Sequence, residues 1–439
     1  MPQKKRYAQV GVGSRSMLYS HALMGDFAQY GELVALCDIN PTRLAYANEQ
    51  FAAKYGAAPL PVYGPADFTR MLKEHRVDTV IVTSMDRTHH RYIVEAMEAG
   101  CDAITEKPMT MDAEKCAAIH DAIARTGRSL RVTFNYRYAP RNSRVKELLM
   151  EGAIGDVKSV HFEWLLDTKH GADYFRRWHR DKKNSGGLFV HKATHHFDLV
   201  NWWLGAKPVQ VYARGGLVFY GRENAEARGA TSFYDRGTGN PAAAGDPFAL
   251  DLSRDESLKR MYLDAEKDDG YRRDQSVFGD CISIEDDMSA VVSYSTGATM
   301  TYHLTAYSPW EGYRIAFNGT KGRIEVEVAE NSYVSGSGQD QNRPDLVRGR
   351  EIELKETTRI LVRPLWGKPW EATLEAGVEA GHGGGDIRLL RDIFIGTDAD
   401  PLGRAADHRA GTDSIMVGIA ANRSLATGLP VRIADLAAR

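Results

Sequence analysis

No apolar run in the 439-residue sequence approaches the length of a bilayer span, so no membrane partner is expected. Charge of one sign is lacking too. Lys and Arg number 56 against 58 Asp and Glu, a formal net charge of −2. Nucleic-acid binders usually carry a basic surplus or tail, so no nucleic-acid partner is expected. The basic run Lys4–Arg6 reads as a solvated N-terminus, and Tyr7–Gly13 after it is too short and glycine-rich for a signal-peptide core. Cysteine is scarce. Cys37, Cys101, Cys116 and Cys281 stand at no metal-like or redox-like spacing. They read as small buried hydrophobes in a reducing compartment, which points to the cytoplasm. Internal repeats and low-complexity segments are also missing.

What is present is ordinary globular composition, 43% hydrophobic and 26% charged, on a chain too long for one core. Strands are expected at 7–12, 32–37, 79–83, 102–105 and 129–134, with helices over 41–55, 90–99 and 112–125. Asn40 is placed to cap the first of these and Pro41 to begin it. Strands alternating with helices on short connections imply an α/β fold with a doubly wound parallel sheet over residues 1–135. The texture then changes. Residues 136–439 suggest an α+β domain, with helices over 144–151, 188–204, 387–394 and 408–427. Strands are expected at 157–166, 209–213, 288–295, 298–306, 313–318 and 322–328. Residues 220–283 are polar and aperiodic and read as a long insertion with one short helix near 258–264.

Gly11 and Gly13 end the first expected strand and precede a helix. There one glycine makes the tight turn and the other lets the backbone approach a pyrophosphate at the helix N-terminus. Ser16 stands where a third glycine is usual, and is small enough for close packing. Asp38 ends the second strand, where a carboxylate accepts hydrogen bonds from ribose hydroxyls and repels a 2′-phosphate, favouring NAD over NADP. Asp38 equally suits a helix cap, and the nearby Arg43 keeps NADP open. Lys107, in Glu106-Lys107-Pro108, closes a strand whose carboxyl end faces the crevice. Near a positive nicotinamide ring its pKa should fall, which suits proton exchange with a substrate hydroxyl.

Gly11/Gly13, Asp38, Thr88-His89, Glu106-Lys107-Pro108, Asn135-Tyr136-Arg137-Tyr138 and Gly186-Gly187 with His195 and Asp198 occur in order. This series resembles the Gfo/Idh/MocA oxidoreductase family, which includes glucose–fructose oxidoreductase and inositol dehydrogenases. The resemblance implies a Rossmann domain followed by a large, open-faced, mostly antiparallel sheet through which the chain pairs as a homodimer or homotetramer. It implies Lys107 and His195 as the central catalytic pair. His191, one helical turn before His195, is a further catalytic candidate; no H-E-x-x-H accompanies these residues and hydride transfer needs no metal, so none is expected. The implied NAD surface adds Ser14, Arg15, Thr83, Ser84, His89, Glu106, Lys107 and Asn135, with Glu106 and Lys107 bordering the nicotinamide. Tyr136, Arg137, Trp178, Lys192 and His382 join the two histidines around a carbohydrate substrate.

Two positions depart from the family pattern. Met85 replaces a common proline, and His191 stands where inositol dehydrogenases carry Asp four residues before the catalytic His. On one helix His191, His195 and Asp198 share a face, which suits either a sugar site or zinc. Tyr174–Asn184 is dense in Arg and Lys and reads as an anion clamp or a solvated loop. Gly381–Asp386 is similar to the HGG segment of NAD-dependent α-N-acetylgalactosaminidases of the same superfamily; a turn with a helix cap is the other reading. The expected activity is hydride transfer between NAD and a secondary hydroxyl carbon of a sugar, glycoside or cyclitol. The alternative is a redox-neutral, NAD-dependent glycosidase.

Overall fold

Short aliphatic strands alternating with helices build the first sheet from β1 (Lys5–Val10), β2 (Gly31–Cys37), β3 (Val62–Tyr63), β4 (Thr79–Val82), β5 (Asp102–Thr105) and β6 (Leu130–Val132). They lie parallel in the order β3-β2-β1-β4-β5-β6. The order reverses between β1 and β4, so a crevice opens at their carboxyl ends. The computed structural model describes residues 4–334, 357–374, 381–396 and 399–436.

The second sheet contains β7 (Val157–Asp167), β8 (Pro208–Gly216), β9 (Asp287–Tyr294), β10 (Thr299–Ser308), β11 (Gly312–Gly319), β12 (Gly322–Ala329), β13 (Thr357–Pro364) and β14 (Trp370–Glu371). Its order is β14-β13-β12-β11-β7-β10-β9-β8, and every pairing except β7–β10 is antiparallel. Alternation of side chains along these strands buries one face, including Phe162, Trp164, Tyr302, Tyr313 and Phe317. The other face carries Arg–Glu pairs such as Arg314–Glu327 and Arg363–Glu325, both well exposed.

The two halves are stitched together late in the chain. Strand β15 (Ala406–Asp407) pairs antiparallel with β6, so residues from the far end extend the Rossmann sheet. Strand β16 (Val431–Arg432) then returns to the edge of the second sheet beside β8. The helix Gly381–Phe394 sends Leu390 and Phe394 into a Rossmann core cluster with Tyr7, Phe27 and Leu33. A Cβ at Gly385 would come within 2.4 Å of the Asn135 carbonyl, so glycine permits this close docking.

Several expectations are corrected. The helix expected over 188–204 is two, Leu188–His191 and Thr194–Leu204, separated by a turn. The helix expected from 387 begins at Gly381, and its glycines lie inside it. Cys281 is exposed, while Cys37, Cys101 and Cys116 are buried. Strands β3 and β13 and the helix Phe68–Glu74 were not anticipated. Among the described residues, no helix is long and apolar enough to cross a membrane.

The insertion between β8 and β9 holds short helices at Arg222–Ala227, Glu256–Leu258 and Glu266–Asp269, with a π-turn at Lys259–Leu263. It folds back onto the Rossmann half. Asn40 Nδ2 donates to Ala265 O at 2.8 Å, Thr42 N to Asp268 at 3.2 Å and Tyr46 OH to Ser257 Oγ at 3.2 Å. Ion pairs Arg43–Asp269 and Arg260–Glu49 join the same surfaces. Beneath them Tyr46, Leu252, Met261 and Tyr262 form a small apolar cluster.

Candidate functional site

The crevice at the end of β1 is built by close backbone approach. Gly11 has φ +86°, and a Cβ there would lie 2.4 Å from Ser84 N. Glycine alone fits that left-handed position at that distance. Thr83 Oγ1 donates to Gly11 O at 2.6 Å, and Ser84 Oγ meets Thr88 Oγ1 at 2.8 Å, so these hydroxyls brace the loops. His89 is buried, its ring nitrogens 2.8 Å from Pro108 O and 2.9 Å from Ser84 O. It joins the loops after β4 and β5.

Asp38 closes the other side. Its carboxylate accepts from Val12 N at 2.6 Å and Asn40 N at 2.8 Å, and Arg43 Nε lies 3.6 Å away. Burial raises its pKa against the opposing pull of Arg43 and the two amides. The same segment is a helix cap, because Asn40 Oδ1 accepts from Arg43 N at 3.0 Å. Asp38 organises the loop and Asn40 caps the helix. An open glycine cradle, amides at a helix start and a carboxylate at the end of β2 fit a dinucleotide such as NAD.

Arg15 does not point outward. Its Nε lies 2.6 Å from Glu106 and its Nη2 3.3 Å from Asp386. Asn135 Nδ2 donates to Asp386 at 2.7 Å, which ties the start of the Gly381–Phe394 helix to the same network. Glu106 also accepts from Tyr19 OH at 2.7 Å and from Lys107 N at 3.1 Å. Burial opposes its ionisation, but the Arg15 and Lys107 charges outweigh burial and hold its pKa below the usual value.

Lys107 lies at the end of β5 across a cis bond to Pro108. Burial lowers its pKa to about 8; Glu106 and Asp86 pull it up, while Lys192 and Arg15 push it down. Its Nζ lies 3.4 Å from the His191 carbonyl. The helix break explains that acceptor. His195 N donates to Lys192 O at 3.3 Å, while the His191 carbonyl turns to the lysine.

The His191 ring faces Asp86, with Nδ1 to Oδ2 at 2.5 Å. Burial pushes the Asp86 pKa well up, against the opposing Lys107 and Arg177 charges, and pushes the His191 pKa well down. His179 packs edge-on against His191 at 4.2 Å and stacks on Trp178 at 3.6 Å. Burial lowers its pKa strongly too. Lys192 Nζ reaches Tyr136 OH at 3.4 Å and lies 5.0 Å from the Trp164 ring centre. Burial lowers its pKa against Glu311 and Glu330. His195 stacks on Tyr136 at 4.3 Å.

Arg137 and Asp198 are turned to each other. Arg137 is buried in a two-pronged pair with Asp198, at 2.6 and 2.8 Å, and donates to Gly403 O at 3.1 Å. These contacts hold Arg137 in the core, and Asp198 is turned to it rather than to the face of His191 and His195. The side chain of His382 lies outside the described residues. His196 is a core residue, bonded to Tyr302 OH at 2.7 Å and stacked on Trp164.

Sequence reasoning missed Asp86, His179 and the insertion's approach to the crevice. Asp86 follows β4 by four residues, so its position at a strand's carboxyl end was a usable signal. His179 lies in the Arg/Lys-rich segment, whose charge pattern carries no signal for a lone buried imidazole. That segment's Arg180 is turned inward, onto Ser276 O and Asp280 O at 3.1 and 2.7 Å.

A profile described as the NAD-binding Rossmann fold of an oxidoreductase family, GFO_IDH_MocA, matches residues 5–134. Its C-terminal alpha/beta domain profile matches residues 146–433. YteT of Bacillus subtilis (strain 168) is 35% identical over 97% of each chain. The inositol 2-dehydrogenase of Rhizobium meliloti (strain 1021) is 28% identical over 48% of this chain and 59% of its own. The glycosyl hydrolase family 109 protein 1 of Akkermansia muciniphila is 27% identical over 43% and 40%. Among solved structures, the aldose-aldose oxidoreductase from Caulobacter crescentus superposes with a TM-score of 0.62 at 19% identity, covering 98% of this chain and 100% of that one.

Proposed function

The chain belongs to the Gfo/Idh/MocA oxidoreductase family, with that family's NAD-binding Rossmann fold, and we propose that it transfers a hydride between NAD and a secondary hydroxyl carbon of a sugar, glycoside or cyclitol. The observation that carries this reading is Lys107, a lysine with a pKa lowered to about 8 at the crevice where the dinucleotide loop opens. NAD, held by the loop from Gly11 to Ser14 and by Asp38, supplies the hydride acceptor. Lys107 takes the hydroxyl proton during oxidation and returns it during reduction.

Asp86 and His191 face the same lysine and set its charge and position. Tyr136 and His195 continue the polar path through Lys192 and form the second half of the proton relay. Trp178 is partly exposed beside His179 and offers a stacking face to a sugar ring. Cofactor choice is NAD over NADP. Arg43 is nearly buried between Asp38 and Asp269, so it is not free to receive a 2′-phosphate.

One observation favours a second reading, the redox-neutral glycosidase. Asp86, His179 and His191 supply acid–base groups beyond the one that simple oxidation needs, and one relative carries a glycosyl hydrolase name. A panel of sugars, cyclitols and aryl glycosides, followed for NADH absorbance and for released aglycone, tests both. Net NADH supports the dehydrogenase, and aglycone without net NADH supports the glycosidase. Absence of both signals across substrates of all three classes counts against either reading. The exposed Arg–Glu face of the second sheet is assigned to self-pairing, which sedimentation of the purified protein checks.

A further inference from the structure

The Tyr262 hydroxyl, on the insertion, lies 3.1 Å from Ser14 N and 2.7 Å from Ser14 Oγ. It accepts from an amide at the start of the first Rossmann helix, where this fold receives a phosphate oxygen. Gly13 leaves the approach open, since a Cβ there would stand 3.7 Å from the same hydroxyl. The Arg273 guanidinium lies over the Tyr262 ring, 5.2 Å from its centre.

Charge around Arg273 is unbalanced. Asp173 receives Arg273 at 2.8 and 3.2 Å and Arg177 at 3.1 Å, with Arg176 at 3.9 Å. Three guanidiniums surround one carboxylate. The Nε atoms of Arg177 and Arg273 are buried and have no hydrogen-bond partner among the described residues. A buried surplus of positive charge is costly unless an anion meets it.

We infer that the insertion is the second half of the dinucleotide site, with Tyr262 and Arg273 as ligands of the diphosphate. In the free protein the Tyr262 oxygen holds the Ser14 amide as a phosphate oxygen would. When a phosphate takes that amide, the Tyr262 hydroxyl becomes a donor to it, and Arg273 supplies the charge. The insertion is fixed independently of the phosphates by Asn40, Thr42, Arg43 and Tyr46. The dinucleotide is therefore gripped from both sides and leaves slowly.

This inference rests on dinucleotide binding, and its test reads binding alone. NADH fluorescence is titrated on full-length wild-type protein, Tyr262→Phe and Arg273→Gln, with ADP-ribose and adenosine as competitors. NADH release is followed after mixing with excess ADP-ribose, and melting of the unliganded variants checks that each is folded. Each substitution is expected to weaken ADP-ribose and speed NADH release by about tenfold, the scale of a hydrogen bond to a charged group. Adenosine, which has no phosphate, should change by less than about twofold. Unchanged ADP-ribose affinity in folded Tyr262→Phe overturns the assignment, as does an equal loss for adenosine. A wild type that binds neither NADH nor ADP-ribose would instead remove the dinucleotide reading itself.

Discussion

Asp86 Oδ2 and His191 Nδ1 lie 2.5 Å apart, joining the loop after β4 to the end of the Leu188–His191 helix. This contact answers the family departure at His191. The carboxylate missing from that helix arrives from the Rossmann side, hydrogen-bonded to the imidazole that replaces it. Asp86 also raises the Lys107 pKa by its charge. Asp86→Asn should therefore move the acid limb of the oxidation rate to lower pH than in wild type. A pH profile of kcat/KM reads the shift, and movement the other way would contradict it.

Lys107→Met should slow hydride transfer in both directions by roughly a thousandfold, within the usual span for a general acid–base group. NADH affinity should hold within about threefold, because the lysine acts on substrate. In wild type, oxidation needs neutral Lys107 and rises with pH through about 8, whereas reduction needs the ammonium and falls over the same range. Single-turnover rates between pH 6 and 10, measured in both directions, check the opposite slopes.

Asp38→Ala removes the carboxylate that organises Val12 and Asn40. Discrimination between NAD and NADP should shrink by about tenfold or more, mainly through weaker NAD use. Arg43 stays held by Asp269, so NADP should gain little. Paired kcat/KM values for the two cofactors decide this, and a full switch to NADP would show that Arg43 is freer than its contacts imply.

Arg137→Met leaves Asp198 buried without its partner. Breaking such a pair costs about 3–5 kcal/mol, so the melting temperature should drop steeply. Substrate KM of the remaining folded enzyme should be unchanged. A raised KM with normal stability would return Arg137 to the substrate site.

The Rossmann half was legible because its signals are local. Gly11, Asn40 with Pro41, and the β-branched run of β4 each specify their own conformation, and all agree with a parallel sheet. The strands β9 to β12 were legible from alternation for the same reason. The break at Lys192-Ala193 was not, since nothing in Leu188–Leu204 disfavours a continuous helix. It is set by tertiary contacts, among them the turn of the His191 carbonyl toward Lys107. The inward turn of Arg137 onto Asp198 was not legible either, because the direction of a side chain in a short 3-10 turn is fixed by packing. The pairing of Asp86 with His191 spans 105 residues, beyond any local pattern.

Strand β15 gives the Rossmann sheet an edge that arrives more than 270 residues after β6. Phe394 and Leu390 fill part of the same half's core. The nucleotide-binding half is consequently not a transplantable module. A fragment ending near residue 135 would expose the β6 edge and leave a cavity where those two side chains belong. During synthesis this half can finish folding only after residues 390–407 have emerged, so cofactor capture waits on a segment made long after the glycine loop.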